Sequence, residues 1–408
     1  MPSRLLSFSA RHSLIALAVF LFLAVGLLAW RVFLSSTPDG TTSTDETVGT
    51  APADETVSVP AVTALRAPED VAGIDGLIRL GFNNAEQIVD NGNGTDMVWI
   101  SDDDLMLGAR TPQGEVTGAR ILASGEVALP AIARDGDLVA VGWVQKNQYK
   151  NEIRVLVSED AGETFEEVVL GAGESVSLAV SQGRVAAVWH ETSGKTRSRI
   201  FASVWSGGAW SSPVQVDRSD ASPMWPSVDF RGDELAVAWR DDRQDGRYTI
   251  WLRRSHDRGV TWEEEQQITA ELSGDPDVCL TKSSVWLAHH GGGKISLVRS
   301  DDGGETYAPS QELGRGFFPH LVCSQDAVGV SWEQTTEGPY AADKDAGWAV
   351  VSDEGALIGA GAIDDGPSAA ATMFLSADAR TMEMLWLTVS QEEPLLGTLR
   401  HQWFEILL

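Results

Sequence analysis

Seven short β-rich runs, each with a tryptophan at the same place, constrain this chain more than any other feature. They read "DMVWIS" (97–102), "AVGWVQ" (140–145), "AAVWHE" (186–191), "AVAWRD" (236–241), "SSVWLA" (283–288), "GVSWEQ" (329–334) and "EMLWLT" (383–388). Their tryptophans, Trp99, Trp143, Trp189, Trp239, Trp286, Trp332 and Trp386, are spaced by 44, 46, 50, 47, 46 and 54 residues. Four strands of five or six residues with their turns need about 40–50 residues, the period of a propeller blade. The spacing therefore predicts an all-β chain: a β-propeller of four-stranded blades around one axis.

The copies extend beyond the tryptophan strand. Before it stands a run such as "LPAIAR" (129–134), "WPSVDF" (225–230) or "FPHLVC" (318–323), expected as the inner strand A of each blade. After it come a variable loop, a third strand such as "YTIWLRRS" (248–255), a turn, and a fourth such as "EEQQIT" (264–269). "DNGNGTD" (90–96) reads as the A–B turn of the first blade, with an oxygen-rich calcium loop as the other reading.

The turn between third and fourth strands has its own signature. It is Ser158-x-Asp160-x-Gly162-x-Thr164, then Ser255-x-Asp257-x-Gly259-x-Thr261-Trp262, then Ser300-x-Asp302-x-Gly304-x-Thr306. Asp and Ser accept bonds from local amides, Gly takes the positive φ, and Thr with the following aromatic starts the next strand. "VWSGGAW" (204–210) and "VSDEGAL" (351–357) look like eroded versions.

These turns resemble the Asp boxes, or BNR repeats, of the sialidase-like propeller superfamily, and with the blade period the resemblance covers about 76–408. It implies architecture rather than reaction, since sialidases, other glycoside hydrolases and non-catalytic proteins share that scaffold. Sialidases proper have six blades, whereas the tryptophan count here favours seven. "GLIRLGF" (76–82) is expected to supply the closing strand of the last blade, which removes an exposed edge.

Loops alternate between the two faces of a propeller. If the Asp-box-like turns share one face with the A–B turns, the residues just after each tryptophan converge at the opposite mouth of the channel. They are Gln145, His190, Glu191, Arg240, Asp241, Asp242, Arg243, His289, His290, Glu333 and Gln334. Acids, imidazoles and arginines in one ring form a credible ligand-binding surface. The competing reading is that strand ends are polar because they leave the core.

The resemblance to sialidases implies three carboxylate-gripping arginines, a tyrosine nucleophile with its glutamate, and an acidic acid/base. The expected Arg-Ile-Pro appears only as Arg66-Ala67-Pro68, in a stretch without strand pattern, and the other two arginines have no assignable counterpart. Of four tyrosines, Tyr340 follows Glu333 and Glu337 and is the weak nucleophile candidate. A glycosidase of another kind needs only two carboxylates, for which Asp241, Asp242, Glu191 and Glu333 are candidates. No phosphate loop, zinc motif or nucleophile elbow is present, and His289-His290 point to opposite sides of a strand, so no metal or cofactor is expected beyond a calcium alternative.

The first 34 residues are of a different kind. Eighteen uncharged residues, "SLIALAVFLFLAVGLLAW", run from Ser13 to Trp30 behind Arg4 and Arg11. This length nearly spans a bilayer, so 13–34 is expected as a signal anchor with residues 1–12 cytoplasmic; a cleaved signal peptide is the alternative. Residues 35–72 read as a flexible acidic Ser/Thr/Pro-rich stalk, and 73–408 as the propeller. With 30 basic and 59 acidic residues the net charge is −29, which argues against a nucleic-acid partner. Two cysteines, Cys279 and Cys323, sit on successive inner strands, where either a bond or two free thiols fit. The resulting expectation is a membrane-anchored, extracytoplasmic propeller binding a glycan or envelope protein without catalysis. A glycoside hydrolase at the channel mouth and an envelope scaffold are the alternatives.

Overall fold

A computed structural model describes residues 62–74, 78–80, 86–193, 197–339, 341, 343–376, 378–389 and 396–407. The expected cytoplasmic segment 1–12, anchor 13–34, nearly all of the stalk, and Tyr340 lie outside them. No helix of the described residues is long and apolar enough to cross a membrane.

All regular elements among the described residues are strands, and they pair into seven antiparallel blades. The innermost strands are Ile88–Asp90, Val127–Asp135, Ser175–Ser181, Met224–Arg231, Gly274–Leu280, the end of Gln311–Cys323, and Ser368–Leu375. Gln311–Cys323 serves twice: its first residues pair with Lys294–Ser300 as the outer strand of blade 5, and its last pair with Ala327–Gln334 as the inner strand of blade 6. Blades 7 and 1 are bridged by the short strand Ile78–Arg79, which contacts both.

Seven hydrophobic clusters fill the seven spaces between successive blades. Leu105, Ile132 and Trp143 lie between blades 1 and 2; the last cluster joins Trp99 and Val116 of blade 1 to Leu385, Leu387 and Leu399 of blade 7. The ring is therefore closed by apolar burial all the way round. Trp143, Trp189, Trp239, Trp286, Trp332 and Trp386 are among the largest fully buried side chains. Each such indole, cut to alanine, costs about 3–5 kcal/mol.

The inner strands leave one edge of amides facing the axis, and side chains one blade back satisfy them. Ser177 Oγ accepts from Val228 N at 3.2 Å, Ser227 Oγ from Val278 N at 3.1 Å, and Asp229 from Leu280 N at 2.7 Å. Asp277 continues the series, accepting from Leu321 N at 2.8 Å. The cysteines join the same strands: Cys279 and Cys323 form a disulfide between blades 5 and 6, with Cα atoms 6.2 Å apart.

Two expectations need correction. Of the described residues in 76–82 only Ile78 pairs with the last strand, at Gly397; most of the closure of blade 7 comes from Val62–Ala64 and Glu69–Asp70, both paired with Gly397–Ile406. The β structure thus begins inside the stretch read as stalk; alternating Val62, Ala64 and the backbone bonds of Leu65 and Val71 to Trp403 and Leu399 suffice to hold a sequence with no hydrophobic run. Secondly, Trp286 is not the equivalent of Trp239. Ala288 lies opposite Asp277 as Ala238 lies opposite Ser227, so His289 occupies the tryptophan position of blade 5. Trp286 sits three residues deeper, where its Nε1 donates to Asp353 at 3.2 Å.

The three Ser-x-Asp-x-Gly-x-Thr turns fold alike. In the second, Ser255 Oγ donates to Asp257 at 2.9 Å and accepts from Gly259 N at 2.8 Å, while Asp257 accepts from Thr261 N and Oγ1 at 2.7 and 2.6 Å. Phe165, Trp262 and Tyr307 then pack into interblade clusters. Four local donors pull the Asp160 carboxyl down to about 2, so its ionised oxygens are spent inside the turn. "DNGNGTD" is likewise the A–B turn of blade 1, with Asp90 and Asn91 bonding Gly92 N and Asn93 N.

Candidate functional site at the channel mouth

Strand register defines which residues form the ring at the mouth. The position two beyond the residue opposite Ser177, Ser227, Asp277 and His320 is His190, Arg240, His290 and Glu333 in blades 3 to 6. In blades 7, 1 and 2 the same position is Leu387, Ile100 and Val144, all buried. The polar mouth is therefore one-sided and belongs to blades 3–6.

A second ring, missed in the sequence, comes from the inner strands. Blades 2, 4, 5, 6 and 7 each carry a bulge near the start of strand A. At each bulge a non-glycine residue is left-handed: Leu129 (φ 51), Trp225 (55), Asp275 (49), Phe318 (55) and Ala370 (49). Such conformations cost about 1–3 kcal/mol each and gather at functional sites. The visible signal was the Pro that follows four of the five, at 130, 226, 276 and 319.

The two rings meet around Arg240. Its Nη1 donates to Asp275 Oδ1 at 3.1 Å, and its guanidinium lies 4.9 Å from the Tyr248 ring and 6.0 Å from the Trp225 ring. His290 Nδ1 stands 3.4 Å from Asp275 Oδ2, and its ring meets Phe317 edge-on at 5.1 Å. Gly274 permits this: a Cβ there would sit 3.0 Å from His290 Cε1. His190 is tilted against Trp225 at 5.5 Å and its Nδ1 shares a hydrogen bond with Ser175 Oγ at 2.7 Å. Burial, and then the Arg240 charge, push His190 down to about 4; burial and Arg240 also lower His290, against the pull of Asp275. Both imidazoles are thus neutral near pH 7, beside a fixed cation. Tyr248 is raised by burial and stays a phenol.

Beside Phe317 and Phe318 a cavity of about 490 Å³ is lined by Arg315, Gln334, Thr335, Glu337, Asp343 and Lys344, among others. It extends the mouth over blade 6.

Other sequence candidates are placed elsewhere or already occupied. Asp241 has no exposed surface; it accepts from Arg243 N and Nε at 2.9 Å, Arg243 Nη2 at 2.7 Å and Ser219 Oγ at 3.2 Å. Strand alternation turns it away from Arg240, and Arg243 lies over Trp251 with a second bond to Glu265. Asp242 accepts from Ser222 N at 3.0 Å. Glu333 is in the ring but only 2% exposed, bound by Lys344 Nζ and by Ala370 N at 2.9 Å. Glu191 is half-buried and paired with Lys150 at 3.1 Å. His289 is buried in the tryptophan slot, and burial lowers it to about 4. Gln145 bonds Trp143 Nε1 at 3.1 Å. Arg66 lies on the outer edge of blade 7, where its carbonyl accepts from Gln402, so no arginine triad includes it.

No protein-family model matches this chain, and no curated protein matches it by sequence. Among solved structures it aligns with polysaccharide lyase PL25, an ulvan lyase bound to -[GlcA(1-4)Rha3S]-. The TM-score is 0.58 at 12% identity, over 83% of this chain and 94% of that one. The fold is a β-propeller. An α-L-arabinofuranosidase from Fusarium graminearum aligns with TM-score 0.47 at 12% identity, over 68% of this chain and 91% of that one. Trypanosoma rangeli sialidase gives TM-score 0.47 at 12% identity over 72% of this chain, which spans 57% of that enzyme's length. At such identity the likeness is one of fold alone.

Proposed function

We propose that this chain is an extracytoplasmic propeller, tethered by the segment 13–34, that binds a glycan at its mouth without cleaving it. One observation carries the reading: strained bulges bring Trp225 beside Arg240 and Phe318 beside His290 at the rim, while the ring and strand-end carboxylates are engaged in internal bonds. Aromatic faces suit the apolar faces of sugars, and Arg240 with two neutral histidines supplies donors for hydroxyl or carboxylate oxygens. The Cys279–Cys323 bond suits an oxidising compartment.

The test is calorimetric titration and a glycan array with the full chain in detergent. A saturable glycan should bind, and Arg240→Met should weaken it at least about tenfold. Binding of an envelope protein but no glycan would assign the mouth to docking. Hydrolysis of aryl glycosides or sialosides, lost in Asp242→Asn or Glu333→Gln, would overturn the reading in favour of a hydrolase.

A second reading has its own support. Arg240 stands between two histidines held neutral and beside Tyr248, and the ulvan lyase shares the fold. In that reading Arg240 neutralises a uronate carboxylate and a histidine takes the proton from C5. The C4–O bond then breaks as the C4–C5 double bond forms, and the leaving oxygen takes up a proton. Ultraviolet absorbance of an unsaturated product, absent in His190→Gln or His290→Gln, would establish it.

A further inference from the structure

The channel opens, towards the face of the A–B turns, into a cavity of about 390 Å³ distinct from the mouth. Its rim carries Asp135, Ser181 and Arg231, and its interior carries Glu86, Asp229, Asp277 and His320. We propose that this cavity binds a small protonated aliphatic amine, whose ammonium groups are held by the carboxyls of Glu86, Asp229 and Asp277 and by His320.

His320 points to a missing partner. It is 5% exposed, lines the cavity, and neither ring nitrogen has a hydrogen-bond partner. Buried polar atoms are otherwise bonded in more than nine cases in ten. A neutral imidazole offers one acceptor nitrogen and one N–H donor, and ionised carboxylates offer acceptors only. An ammonium brings three donors, which answer the imidazole's acceptor nitrogen and the carboxylates, while the imidazole N–H is left to the acids.

The three acids share the same deficit. Asp277 takes Ser227 Oγ and two strand amides, and Asp229 takes the amides of Phe230 and Leu280; Arg231 acts on Asp229 only through its charge, and Arg134 in the cavity wall is paired with Asp96. Burial, then the charges of Asp229 and Asp277, push Glu86 up to about 8; burial raises Asp229 and Asp277 as well. A positive guest relieves both the repulsion and the desolvation. Among the described residues no three His, Cys, Asp or Glu side chains converge as ligands of one metal ion. Leu178, Val180 and Val228 provide apolar wall for the methylenes of such a guest.

Thermal shift and calorimetry with 1,4-diaminobutane test this on the full chain, alongside Glu86→Gln and His320→Gln. The wild type should bind saturably and each variant at least about tenfold more weakly. Sodium chloride at matched ionic strength should give no saturable signal. Equal binding by Glu86→Gln, or no saturable heat, overturns the proposal. So does calcium chloride binding with the same residue dependence, which would make the guest a divalent ion. The Glu86 side chain bridges no strands, so that variant decides the matter even if His320→Gln fails to fold.

Discussion

At the scale of single residues, adjacent positions on one strand have opposite fates. Arg240 faces the mouth while Asp241, next to it, is sealed behind the strand and holds Arg243. Removing the Asp241 charge leaves a largely enclosed guanidinium with half its partners. Asp241→Asn should therefore cost roughly 2–4 kcal/mol in denaturant unfolding, with glycan affinity of the folded fraction unchanged. Lost affinity at full stability would place Asp241 at the mouth after all. Sequence order alone put the two residues side by side; only the pleat and the register separate them. For the same reason His190, Arg240, His290 and Glu333 were legible as a group, because each follows the repeated strand. Trp225, Asp275 and Phe318 were not, because their placement depends on a bulge.

At the scale of the strand and blade, glycine decides where an indole fits. In blade 6 the Trp332 ring is enclosed by Gly314 and Gly347; a Cβ at Gly347 would lie 2.3 Å from Trp332 Nε1. In blade 2 a Cβ at Gly171 would meet Trp189 at an ordinary 3.7 Å. Gly347→Ala should then destabilise by about 1–3 kcal/mol through overpacking, whereas Gly171→Ala should be near neutral. Paired urea melts distinguish them, and equal effects would show that blade 6 relaxes around the added methyl. The blade pattern was readable because tryptophans recur at one depth; blade 5 misled because His289 holds that depth and Trp286 lies below it.

For the whole molecule, buried titratable groups set an optimum of pH. His190 and His289 are depressed to about 4, so the unfolded chain binds more protons than the folded one below about pH 6.5. Stability is lost as pH falls through that window, by roughly 1–2 kcal/mol per histidine at pH 5. Glu86, raised to about 8, acts in the opposite sense: the folded state keeps a proton that the unfolded chain releases, and stability is lost as pH rises from about 4.5 towards 8. Melting temperature should peak near pH 6.5 and fall on both sides, with Glu86→Gln flattening the alkaline side. A monotonic profile from pH 4.5 to 8.5 would contradict this balance.

Ring closure was foreseeable from the need to hide an edge, but its agent was not, since Val62–Ala64 and Glu69–Asp70 carry too few apolar residues to announce a strand. These two short pieces make most of the outer rung of blade 7, with Ile78 adding one pairing at Gly397, and they zip onto Gly397–Ile406 from far away in the chain. Tension entering through the preceding segment would peel them off one bond at a time, before shear reached any complete blade. The seam is thus a mechanical fuse, the first place where this wheel yields when it is pulled.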